Sequence, residues 1–83
     1  MKTALVLIDV QNDYFPGGKM ELEGAIEAAR QAGRLLVYFR EAGLPVAHVR
    51  HLSRGPYAKF FLPDTTGANI HESVRPLASE KVF

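Results

Sequence analysis

The amino-acid sequence predicts an α/β chain built on a parallel sheet, present as an incomplete βαβ(β) arrangement. Three observations predict it. Residues 4–8, Ala-Leu-Val-Leu-Ile, form an uninterrupted apolar run that stops at Asp9. A long stretch over about residues 21–42 then repeats apolar residues at steps of three and four. A second short apolar run, 46–49, follows directly after Gly43-Leu44-Pro45. A short continuous apolar run is how a strand covered on both faces reads, as in parallel sheets flanked by helices. Strand, long helix and strand is the unit that joins parallel neighbours, with a right-handed crossover in nearly all cases.

The first strand is expected over residues 2 to 9 or 10, and a loop over 11–20 is marked by Pro16-Gly17-Gly18. The helix is expected from around 21–24 to 42. Leu22, Ala25, Ile26, Ala29, Ala32, Gly33, Leu36 and Phe39 make its apolar stripe, for which strand one supplies the partner surface. Glu27 and Arg30 lie off the stripe at pairing distance in sequence. Gly43 suits the left-handed cap, with Leu44 as the apolar residue after it and Pro45 blocking continuation. The second strand covers 46 to 49 or 50. Residues 51–69 carry turn signals at Ser53-Arg54-Gly55-Pro56, Pro63-Asp64 and Thr65-Thr66-Gly67. They read as a loop longer than most, which is either functional or evidence of something missing. A helical turn is expected over 70–74, and 80–83 reads as the start of a third strand.

Composition limits the function classes. The chain has 83 residues, 47% of them hydrophobic and 23% charged, which is ordinary for a globular domain rather than a disordered segment. A chain of this size buries roughly 60% of its unfolded surface, so its core is marginal. The net charge of +1 predicts neither nucleic acid nor an anionic membrane as partner. There is no apolar stretch of about 18 residues and no signal-peptide pattern, so cytoplasm is the expected compartment. With no cysteine there is no disulfide and no thiolate metal site. An unfinished parallel sheet exposes strand edges and leaves one face bare. That predicts a truncated chain, a split gene product, or half of something completed by another polypeptide.

Asp9 ends the first strand, and in open α/β sheets ligands bind beyond the carboxyl ends of the strands. The bland alternative is that Asp9 merely caps a turn or a helix. The segment Leu7-Ile8-Asp9-Val10-Gln11-Asn12-Asp13-Tyr14-Phe15 resembles the opening of the isochorismatase-like cysteine hydrolases. Pro16-Gly17-Gly18-Lys19, Gly43-Leu44-Pro45-Val46, Phe60-Phe61-Leu62-Pro63 and Thr65-Thr66-Gly67-Ala68 are similar to that family as well. The resemblance covers the N-terminal part of one such domain, residues 1–83. It implies a Rossmann-like three-layer fold and a catalytic Asp, Lys and Cys acting on a small amide or related C–N bond. Asp9 matches the catalytic Asp by motif. The lysine is expected a few residues after the third strand starts, so Lys81 is too early and is not assigned. The nucleophilic cysteine is absent from the chain. The resemblance further implies a small-molecule substrate, Phe15 lining its pocket or buried in the loop, no cofactor, and a homo-oligomer. The rival reading is a non-catalytic remnant that serves as an assembly or binding partner.

Other constellations are weaker. Gly17-Gly18-Lys19 lacks the upstream Gly and following Ser/Thr of a phosphate loop and is expected to be a turn. His48, His51 and His71 lack the Asp-x-His motif of metal-dependent relatives, and no metal is expected. Asp9 and Asp13 do not form the Asp-x-Asp of magnesium-dependent phosphoryl-transfer enzymes. Tyr57, Phe60 and Phe61 read as loop packing rather than a base-stacking platform.

Overall fold

The structure is a computed structural model and describes residues 3–83. Strand β1 (Leu5–Ile8), helix α1 (Ala25–Glu41), strand β2 (Val46–Val49) and strand β3 (Lys81–Val82) follow in chain order. All strands are parallel, in the order β1-β2-β3, with Leu5 opposite Val46 and His48 opposite Val82. The expected β-α-β-β order is therefore present. The proposed start of strand one at Lys2 lies outside the described residues, and its end comes earlier than expected. Asp9 gives its N–H to the Val49 carbonyl at 2.9 Å, then leaves extended geometry with φ of 58°.

Helix α1 starts and stops for local reasons. Gly24 precedes it in the left-handed region. At its end the Leu44 N–H bonds the Phe39 carbonyl at 2.9 Å and the Gly43 N–H bonds Arg40 at 3.1 Å, with Gly43 at φ of 69°. This is the paired closing pattern that requires a left-handed residue, which glycine adopts without cost. Glu27 and Arg30 pair at 2.8 Å on the exposed face. Solvent screens such a pair, so it contributes a few tenths of a kcal/mol at most, by an estimate of about 0.3.

The apolar stripe is narrower than its sequence suggests. Ala29 and Leu36 are buried, whereas Leu22 and Ile26 are exposed. Leu22 lies before the helix begins, and only the centre of the stripe meets the sheet. Strand β1 is also not the sole partner. Leu7 and Leu36 form the core with Val74, and Leu5, Val10, Ala32, Val46 and Ile70 pack around them. Val74 comes from a 3-10 turn, Glu72–Val74, the expected helical turn in shorter form. That turn reaches α1 closely at Gly33, where an added Cβ would stand 3.3 Å from the Ser73 carbonyl oxygen.

The opposite face of the sheet is open. Side chains alternate along a strand, so Val6 and Ile8 point away from α1. They are 50% and 62% exposed, although the uninterrupted apolar run predicts cover on both sides.

A polar cluster ties α1 to β3 at the far end from the Asp9 turn. Arg40 holds Glu80 with two hydrogen bonds, of 2.7 and 2.8 Å, and His48 Nε2 lies 2.9 Å from the same carboxylate. The carboxylate acceptor assigns the His48 proton to Nε2. Hydrogen bonding from Arg40, opposed by burial and aided by the Leu77 N–H and His48, lowers the Glu80 pKa from 4.5 to about 2. The folded-state value lies below the unfolded one. The cluster therefore stabilises the fold fully above about pH 4.5, and that contribution is lost as pH falls toward 2. Urea midpoints measured from neutral pH downward should drop across that interval, and Glu80→Gln should flatten this part of the profile. An unchanged profile in the variant would assign the acid loss to other carboxylates.

Candidate functional site

The turn at Asp9 is where the chain changes ladder partner. Up to Asp9 its backbone pairs with β2. Beyond it, the Val10 carbonyl accepts the His71 N–H at 2.8 Å and the Asn12 N–H bonds the Asn69 carbonyl at 3.0 Å. A left-handed residue makes that switch. For a non-glycine this conformation is sparsely populated, and Asp is among the side chains that tolerate it best. Residues held this way cluster at functional sites. Asp9 is half-buried, and among the described residues no hydrogen-bond donor meets its carboxylate.

Asp9 and Phe15 line one cavity of about 140 Å³ together with Val10, Ala25, Ala28 and Ala32. The structure thus brings the two sequence-predicted site residues to the same pocket wall. Phe15 is also buried in the loop and stacks on the His71 ring, with centroids 3.8 Å apart and planes at 12°.

The scaffold beneath these residues is made by two side chains to which sequence reading gave no such role. Gln11 is fully buried. Its amide donates to the His51 and Ala68 carbonyls at 2.8 and 2.7 Å and accepts the His51 N–H at 2.9 Å. Asp13, 3% exposed, accepts the Lys19 N–H on Oδ1 at 3.0 Å and the Phe61 N–H on Oδ2 at 2.7 Å. Both of its oxygens accept backbone donors. Gly67 passes directly against this carboxylate, where a Cβ would overlap it. Loop 51–69 is therefore pinned to the segment after β1 at several points. The only sequence trace of this arrangement is the Thr-Thr-Gly turn, which becomes a 3-10 turn over Thr66–Ala68.

The three histidines each have their own partners. His48 is buried against Glu80, His51 lies 3.1 Å from the Ser53 hydroxyl, and His71 Nδ1 accepts from Ser73. Among the described residues no group of three or more His, Cys, Asp or Glu is placed to hold a metal ion. Tyr14 packs edge-on against Phe61 at 4.8 Å, and Phe60 does so at 4.9 Å, as loop packing. No helix among the described residues is long and apolar enough to cross a membrane.

The described residues thus form a parallel α/β sheet with a carboxylate in a left-handed turn at the carboxyl end of its first strand. Residues 3–83 match the isochorismatase domain family, and the chain belongs to it. It is 56% identical over 83 residues to YddQ of Bacillus subtilis (strain 168), an uncharacterized isochorismatase family protein. The match covers all of this chain and 46% of YddQ. A putative isochorismatase hydrolase from Oleispira antarctica has the same fold, with a TM-score of 0.92 and 51% identity. That match covers 98% of this chain and 44% of the other. N-carbamoylsarcosine amidase from Thermoplasma acidophilum superposes with a TM-score of 0.87 at 25% identity, over 99% of this chain and 50% of that one. The chain thus spans about half the length of the relatives it matches.

Proposed function

We propose that this chain supplies the acid–base carboxylate and part of the pocket wall of a cysteine hydrolase that cleaves a small amide or related C–N bond. The observation that carries this reading is Asp9. It combines the end of β1, a left-handed backbone, a carboxylate free of described partners and a shared cavity with Phe15. The amidase among the structural neighbours supports a C–N bond as target. The lysine and cysteine of the family triad come from the part of the domain that these 83 residues do not contain.

In that site Asp9 accepts the thiol proton, and the thiolate attacks the amide carbon to give a tetrahedral oxyanion. Collapse breaks the C–N bond, and the proton on Asp9 passes to the departing nitrogen. A thioester remains. Water then attacks it as Asp9 takes the water proton, and the acid and the thiol are released with the proton count restored. The chain alone lacks a thiol and so has no turnover by this route. The remnant reading draws on that same absence of cysteine. A panel of small amides, assayed with a protein extended to the relatives' full length and with its Asp9→Asn variant, separates the two readings.

A further inference from the structure

We infer that a cavity beyond the carboxyl end of β2 binds a small oxyanion, a carboxylate or phosphate group held between the guanidinium groups of Arg50 and Arg54. The inference does not rest on the amide-hydrolase reading, because this cavity and the one at Asp9 share no lining residue.

The cavity has a volume of about 220 Å³ and is lined by two segments. Arg50 and Arg54 belong to the first, and Asp64, Thr65 and Asn69 to the second. One buried side chain sets their spacing. Gln11 holds the first segment through the N–H and carbonyl of His51, at 2.9 and 2.8 Å. It holds the second through the Ala68 carbonyl at 2.7 Å. The Arg50 N–H bonds the Phe83 carbonyl at 2.9 Å, and the Ser53 N–H bonds the Phe61 carbonyl at 2.9 Å. The backbone that carries both arginines is therefore fixed before a ligand arrives, and less ordering has to accompany binding.

The arginines call for an anion. Among the described residues the arginine ion pairs are those of Arg30 with Glu27 and Arg40 with Glu80. Arg50 is half-buried and has none, and neither has Arg54. No acidic residue occurs from 50 to 63, and Asp64, which also lines the cavity, pairs with neither arginine. Two like charges sharing one cavity repel each other, and an anion between them replaces that repulsion with attraction. The guanidinium fork matches the paired oxygens of a carboxylate or phosphate. The Asn69 carboxamide adds an uncharged donor to the lining, whereas the Thr65 hydroxyl is spent on the Leu62 carbonyl at 2.6 Å. With two cations and one carboxylate, the lining keeps a net positive charge.

The test is titration of the protein, extended to the relatives' full length, with inorganic phosphate and separately with acetate at constant ionic strength. The Nε–H resonances of Arg50 and Arg54 should shift saturably, with one anion bound per chain. Saturation by phosphate assigns a phosphate group, and saturation by acetate a carboxylate. Arg50→Gln and Arg54→Gln should each weaken binding about tenfold or more, the effect of losing a charged hydrogen-bond donor. Asp64→Asn removes the opposing charge and keeps a side chain suited to the left-handed backbone at φ of 63°. It should tighten binding, a gain that unfolding cannot produce. Arg34→Gln, on the exposed face of α1, should leave affinity unchanged. Failure of both probes to saturate, wild-type affinity in the Arg50 and Arg54 variants, or an equal loss in Arg34→Gln would each overturn the inference.

Discussion

If Asp9 is the acid–base group of the proposed site, Asp9→Asn should lower turnover by about 10²–10⁴-fold in a protein that carries the remaining lysine and cysteine, the usual contribution of general acid–base catalysis. The amide keeps the shape and volume of the carboxylate and tolerates the left-handed backbone that Asp9 adopts at φ of 58°. What it removes is the proton acceptor. The loss corresponds to about 3–5 kcal/mol of transition-state stabilisation. It should fall on kcat more than on KM, because the acceptor acts in the transition state rather than in ground-state binding. Residues acting as a unit lose most of their joint effect when one is gone, so adding Cys→Ser to Asp9→Asn should cost little more. Near-normal turnover in the folded variant would put the base elsewhere in the chain.

Asp13→Ala destabilises the fold by about 3 kcal/mol, because two backbone N–H groups lose a charged acceptor in a buried place. The bond to Phe61 at 2.7 Å carries more than its own strength. Phe61 is held at φ of 54°, a conformation that a bulky residue adopts only under constraint, at a cost of about 1–3 kcal/mol. Without the carboxylate, loop 51–69 relaxes away from the segment after β1. Hydrogen exchange at the Phe61 and Lys19 amides should accelerate first, ahead of the β1–β2 ladder. Asp13→Asn should recover part of the loss, since an amide oxygen can still accept one of the two bonds. Equal exchange rates in wild type and Asp13→Ala would show that other contacts hold the loop. The change is large against the roughly 4–12 kcal/mol expected for a chain of this length.

The two substitutions mark the difference between what was legible in the sequence and what was not. The place of Asp9 at the end of β1 was legible because it is purely positional. A continuous apolar run reads as a strand, and a carboxylate at its end then lies at the sheet's carboxyl edge. The end of the helix was legible for a similar reason, since Gly43 and Pro45 act on their immediate neighbours alone. The apolar periodicity gave α1 and the order β-α-β without reference to anything distant.

Asp13 and Gln11 look in the sequence like ordinary polar residues of a loop. Their roles depend on partners at positions 51, 61 and 68, separated from them by a helix and a strand. Nothing local encodes such a pairing, because a buried polar side chain is defined by donors and acceptors that only the folded chain assembles. The Arg40–Glu80–His48 cluster is of the same kind, joining α1, β2 and the start of β3. So is the entry of Val74 into the core. The stripe on α1 called for an apolar partner but could not say that a turn thirty-odd residues later would share that place with β1, since hydrophobic attraction is non-directional. The sequence by itself determined the elements, their order and the residue at the first strand's end. Tertiary structure decided which polar side chains became struts, and which half of an apolar strand was left facing outward.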